Sequence, residues 1–288
     1  MASSGSGYDL SSSTFSPDGR IFQVEYASKA VEQHAGLMMG MKCKDGVVLC
    51  VQKPLVQKLL VPTFSQRIYT IGSNMGMAVT GFQPDARQLI HRGREETADY
   101  VDTYGSDCPP SVLADRLATY VHYFTLHGSL RPFGAVGLVA GYDTATKTFS
   151  LNQVEPSGTS KTYYAAAAGK GQQAAKTELE KLVGGNSGAS GASASGTTTS
   201  TETTTAELSC EEALKQLVRI VWLLHDPNKE KAFELEVSWI TGTEGKHSGV
   251  PKETLDAATK WAKEQLEEEE EDDDEEDDDE EEEEAMEE

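Results

Sequence analysis

The sequence predicts an α+β fold in which two antiparallel sheets stack face to face and helices cover both outer sides, a four-layer α/β/β/α sandwich with an additional N-terminal helix. Three observations carry this. Two hairpin patterns follow one another between residues 35 and 82. A pair of long segments with helical spacing comes next. Strand patterns then return before further helices. An antiparallel sheet buries one face against something, so two sheets and flanking helices stack most simply in four layers.

The elements come in order. Pro17-Asp18-Gly19 is a turn signal, with Asp18 close to a helix start where its charge suits the N-terminal dipole. The helix is expected over Arg20 to Gln33. Its apolar residues Phe22, Val24, Tyr26, Ala27, Ala30 and Val31 spread over roughly half the circumference, wider than the roughly 100° stripe that one core face requires. This helix should therefore be covered from more than one side. "AGLMMGMKCKDGVVLCVQK" (35–53) places two apolar runs around Asp45-Gly46, a hairpin. "RIYTIGSNMGMAVTGF" (67–82) repeats the pattern around Gly72 to Asn74. Residues 84–105 and 109–128 each begin with Pro, end near Gly and space apolar residues helically, as in Leu113, Leu117, Tyr120, Val121 and Phe124. Strands are expected at 133–143, 148–158 and 160–168, and a helix at 169–183. Ser209 with Glu212 forms a capping box that opens the next helix. "KAFELEVSWI" (231–240) alternates Phe233, Leu235, Val237 and Trp239 with polar residues, and a last helix runs from about Pro251 to Leu266.

Composition separates a body from its appendages. The net charge is −23, but residues 267–288 hold 20 acidic residues and no basic ones, so residues 1–266 carry only 28 acidic against 25 basic. A nearly neutral body has no basic surface for nucleic acid. The division expected is a flexible segment at 1–14, a domain at 15–266 and a disordered acidic tail at 267–288. Within the domain, 184–206 has no aromatic residue and no aliphatic larger than Ala, and reads as a disordered insertion. Cys43, Cys50, Cys108 and Cys210 form no C-x-x-C pair and read as buried free thiols of a reducing compartment. No signal-peptide pattern opens the chain and no apolar run approaches bilayer length, so an intracellular protein without membrane contact is expected.

Motif by motif, bland readings prevail. "AGKGQQA" (168–174) lacks phosphate-loop spacing, and its glycines serve a helix start. Arg92 and Glu96 form an i,i+4 pair, His122 and His127 occupy amphipathic-helix positions, and no G-x-S-x-G elbow occurs. No metal or cofactor is implied.

"YDLSSSTFSPDGRIFQVEYASKAVE" (8–32) closely resembles the N-terminal signature of α-type proteasome subunits. "TGFQPDAR", "RPFG", "EPSG", "GKGQQAAK" and "KEKAFELEVSW" fall in that family's order, over about residues 5–266 apart from the insertion. Leu10, where most members have Arg, together with "KAFELEVSW" and the acidic C-terminus, narrows the resemblance to one eukaryotic branch. The resemblance implies the Ntn-hydrolase sandwich and a non-catalytic subunit of the 20S core. Catalytic relatives use an N-terminal Thr whose amine helps activate its hydroxyl, and the matching position lies near Gly36, which has no nucleophile. It further implies a heteroheptameric ring with other α subunits, contact with the β ring and with a regulatory ATPase particle or other activators, and residence in cytoplasm and nucleus. Helix 20–33 would fill the cleft that catalytic subunits leave open, with Phe22, Tyr26 and Ala30 toward ring neighbours. Tyr8, Asp9, Pro17 and Tyr26 match the cluster that steadies the open gate. Arg67 and Gly81 match the pocket for regulator C-terminal tails, where Arg67 stands for a lysine. Two rival readings are a threonine peptidase and a chaperone or histone-binding role for the acidic tail.

Overall fold

A computed structural model describes residues 7–55, 59, 61, 65–184, 208–226, 232–242 and 245–268. The insertion, apart from Gly184, and the tail beyond 268 lie outside the described residues. In chain order the elements are α1 (Phe22–His34), β1 (Met38–Lys42), β2 (Gly46–Pro54), β3 (Ile68–Gly72), β4 (Met75–Gly81), α2 (Gln83–Tyr104) and α3 (Pro110–Tyr123). They continue with β5 (Ala135–Asp143), β6 (Thr148–Val154), β7 (Ser160–Tyr163), β8 (Ala165–Ala168), α4 (Gln172–Gly184), α5 (Cys210–Leu223), β9 (Phe233–Thr241) and β10 (Lys246–Gly249). A last helix, α6, covers 252–268.

The two hairpins lie in different sheets. One sheet has the order β10-β9-β2-β1-β8 and the other β3-β4-β5-β6-β7, with every pairing antiparallel. Three apolar layers follow from strand alternation. Between the sheets, Met38, Leu49 and Ile240 meet Ile68, Leu138 and Leu151. Outside the first sheet, Met39, Met41 and Cys50 pack under Leu214, Leu217 and Ala262. Outside the second, Met77 and Val139 pack under Leu89, Leu113 and Leu117. This is the expected four-layer sandwich.

Several elements differ from the sequence reading, among them β6, which ends at Val154 and not 158. The run 160–168 is two strands, because Tyr163 pairs with Leu151 of one sheet and Ala165 with Met41 of the other. Tyr164 makes the crossing, its carbonyl accepting from Lys42 N–H at 2.7 Å. α3 ends at Tyr123, not 128, because Phe124 and Thr125 turn back onto the carbonyls of Val121 and His122. α1 begins at Phe22: Ile21 is extended and Asp18 lies in the turn closed by Gly19, so Glu25 is the first-turn acid. β10 gives too short and polar a pattern in "KHSG" to be read in advance.

Candidate functional site

α1 runs along β4 and β5 and closes the space between the sheets. Val31 and Ala35 enter the inter-sheet core beside Met38 and Ile68. Phe22 is nine positions from Val31, close to the opposite side of a 3.6-residue helix, and it is also buried, at 7% exposed. The wide apolar arc is therefore used on two sides within the chain. Tyr26 stays 38% exposed and Ala30 is half-buried.

The segment before α1 is tied down at three points. Buried Ser12 donates from Oγ to the carbonyl of His127 at 3.0 Å, in the loop after α3. The turn at 16–20 closes through Ser16 N–H to Arg20 O at 2.9 Å and Arg20 N–H to Ser16 Oγ at 3.1 Å. Gln23 Nε2 donates to the Asp9 carbonyl, and Tyr26 O–H donates to Asp9 Oδ2 at 3.3 Å. Desolvation, with the Asp9 carboxylate beside it, pushes the Tyr26 phenol above its ordinary value. Of the four residues matched to a gate cluster, the structure thus brings Asp9 and Tyr26 together. Tyr8 and Pro17 stand exposed, with no hydrogen bond or ring contact to that pair. Leu10 is 85% exposed.

At the junction of α1 and β1 the backbone leaves no space for a side chain. A Cβ on Gly36 would lie 2.0 Å from the Gln52 carbonyl oxygen. The Gly36 carbonyl itself accepts from Thr80 Oγ1 at 2.8 Å. Gly169, at φ +96°, passes so near that its own Cβ would stand 2.3 Å from that carbonyl. The glycine of the "AGKGQQA" stretch is thus required by a close approach as well as by its left-handed conformation.

Arg67 immediately precedes β3 and Gly81 ends the neighbouring β4, and Val79 N–H donates to the Arg67 carbonyl at 2.9 Å. Gly81, at φ +113°, would put a Cβ 2.3 Å from the Gly134 carbonyl, so the sheet itself demands glycine there. The Arg67 guanidinium lies against the side-chain amide of Gln83, the first residue of α2. Burial pulls this guanidinium below its ordinary value, against the opposing pull of Tyr69 and Glu236.

Sequence reasoning missed Glu236. Its carboxylate accepts from the N–H groups of Arg67 at 2.9 Å and Ile68 at 3.1 Å, and pairs with Lys53 Nζ at 3.7 Å. A side chain of one sheet thereby clasps the edge strand of the other. The alternation in β9 held the signal. Phe233, Leu235, Val237 and Trp239 pack toward the helices, which turns Glu236 and buried Ser238 toward the opposite sheet. Among the described residues no group of three or more His, Cys, Asp or Glu side chains could hold a metal ion, and no helix is long and apolar enough to cross a membrane.

Comparison with known proteins gives a consistent picture. A family profile described as proteasome subunit matches residues 32–190, and a profile of the N-terminal signature of A-type proteasome subunits matches 8–30. The second spans the anchored segment and most of α1. Proteasome subunit alpha type-3 of Acanthamoeba castellanii is 45% identical over 264 residues, covering 91% of this chain and 95% of the relative. The alpha type-3 subunit of Dictyostelium discoideum is 45% identical over 268 residues, covering 93% and 98%. A probable proteasome subunit alpha type-7 of Saccharomyces cerevisiae is 43% identical over 268 residues, covering 92% and 86%.

Proposed function

The chain belongs to the α-type branch of the proteasome subunit family, and from that membership we propose that it is a non-catalytic structural and gating subunit of the 20S core particle. It joins other α subunits in a heteroheptameric ring, rests on the β ring and controls entry of proteins delivered by the regulatory ATPase particle and other activators. In this role it serves ubiquitin-dependent and other regulated degradation in cytoplasm and nucleus.

The junction at Gly36 carries the reading. The position matching the nucleophile of catalytic relatives has no side chain, has a backbone carbonyl where one would go, and continues backward into α1. Neither a hydroxyl nor a free α-amine stands there, and threonine-peptidase chemistry needs both. α1 instead offers Tyr26 and Ala30 outward to a ring neighbour, supported from beneath by Phe22. The Asp9–Tyr26 pair and the Gln23 bond position the gate segment, with Tyr8 and Pro17 free to complete the cluster against a neighbour. At Leu10 an apolar side chain replaces the guanidinium of sister subunits, so the gate contact there is apolar. Arg67, released from Gln83, can take an incoming carboxylate through two N–H groups, in the pocket beside Gly81.

Native mass spectrometry of the affinity-tagged chain from its own cells tests this. The expected result is a large assembly of several related subunits that hydrolyses fluorogenic peptides. A monodisperse monomer that hydrolyses them itself, and loses activity on Thr replacement, would overturn it.

A further inference from the structure

Away from α1, two thiols meet beneath the β1–β2 turn. Cys43 follows β1 and Cys210 opens α5, and both are buried in the core between the first sheet and its helices. The start of α5 is docked on this turn by Lys44 N–H to the Leu208 carbonyl at 3.1 Å and by Cys210 N–H to Asp45 Oδ1 at 2.8 Å. Within that dock the Cys43 thiol donates to the Met41 carbonyl at 3.7 Å, and Cys43 N–H donates to the Gly46 carbonyl at 2.8 Å across the turn, so Cys43 and Cys210 share the core beside Gly46. The Cys210 sulfur is packed so closely that a Cβ on Gly46 would lie 2.7 Å from it. Cys50 and Cys108 are free and buried as well, Cys50 opposite Met39 on the neighbouring strand and Cys108 before α3.

We propose that Cys43 and Cys210 form a redox modification site, a dithiol that a hydroperoxide converts to a disulfide covalently tying the β1–β2 turn to the start of α5. One sulfur, as thiolate, attacks a peroxide oxygen and becomes a sulfenic acid, and the O–O bond breaks to release water or an alcohol. The second sulfur then attacks the sulfenic sulfur, the S–S bond forms and water leaves. Two thiols lose two electrons and two protons, and the hydroperoxide takes up both.

Selectivity comes from proximity and not from acidity. Burial pushes the Cys50 thiol up to about 12 and the Cys108 thiol up to about 11. Cys210 is raised too, first by the Cys43 side chain and then by burial. Thiolate is therefore scarce at all three, and oxidation waits on brief opening of the first turn of α5. Once one sulfur of the pair is oxidised, the other thiol beside Gly46 is near enough to forestall sulfinic acid.

The full chain, purified in its native assembly, is treated with graded hydrogen peroxide, denatured with iodoacetamide and mapped without reduction. The expected result is a fall from four alkylated cysteines to two, with a dithiothreitol-sensitive peptide linking 43 to 210. Cys43→Ser and Cys210→Ser should each abolish that peptide. If either variant fails to fold, the map of the unaltered chain still decides. The proposal is overturned if peroxide that oxidises methionine leaves all four cysteines alkylatable. It is equally overturned if the crosslink joins other cysteines, or if Cys43 and Cys210 end as sulfinic or sulfonic acids.

Discussion

Gly36 shows how a single missing side chain can record a function. A carbonyl 2.0 Å from a would-be Cβ leaves no rotamer to choose, because the obstacle is backbone. Gly36→Ala is expected to cost about 3 kcal/mol through forced displacement of β2, read as a lower urea midpoint of the purified chain. Gly36→Thr should be at least as destabilising and should gain no peptidase activity. Glu236 makes the opposite kind of residue-scale case. Glu236→Ala removes an acceptor from two N–H groups and a partner from Lys53, with an expected loss of about 2–3 kcal/mol from leaving buried donors unpaired. It should also loosen Arg67, seen as faster hydrogen exchange at the start of β3.

Among the elements, α5 has a start that a side-chain cap made readable. Ser209 Oγ accepts from Glu212 N–H at 3.3 Å, and the Glu212 carboxylate accepts from Ser209 N–H at 2.8 Å. Ser209→Ala should cost about 1 kcal/mol, measurable as a modest fall in Tm. It should also speed peroxide crosslinking of Cys43 to Cys210, because the same turn must open for both. α1 differs, having no side-chain cap at all. It depends on Val31 and Phe22 being buried on opposite sides, a tertiary circumstance that the wide apolar arc signalled without naming the covering surfaces. For the segment ahead of it, Tyr26→Phe removes the bond to Asp9 while keeping the ring on Phe22. The expected outcome is an assembly of unchanged composition whose activator-stimulated peptide hydrolysis is altered.

At the scale of the molecule, the two sheets are also pinned by an imidazole. His247 of β10 lies against Gly76 of β4, with Nδ1 2.8 Å from Thr70 Oγ1 and a buried Nε2 that has no partner. Burial holds this imidazole below its ordinary value. Unfolded, it takes a proton near pH 6.5, whereas the folded chain takes that proton only at lower pH. Stability should therefore fall as pH drops below about 6.5 and level off only beneath the folded value. His247→Gln should flatten that part of a plot of urea midpoint against pH.

Legibility followed distance along the chain. Asp45-Gly46, the Pro-led starts of α2 and α3, and the Ser209 capping box lie within a few residues of what they organise, so alternation, spacing and turn chemistry revealed them. The split of 160–168 was not legible, because nothing within "SKTYYAAAA" says that Tyr163 and Ala165 pair with different sheets. Glu236 was hidden for the same reason: alternation separates two faces of β9 without saying that the polar one turns inward. Of the candidate site, the resemblance picked out Asp9 and Tyr26 as members of one cluster, but only packing of the segment on α1 makes them a pair. By itself the sequence determined most of the elements, their layer order and the family, since these rest on local periodicity and on motifs in a linear order. Tertiary structure alone decided that Gly36 faces the Gln52 carbonyl and that Cys43 and Cys210 share one core beside Gly46. Those contacts exist only once strands and helices distant in sequence close on one another.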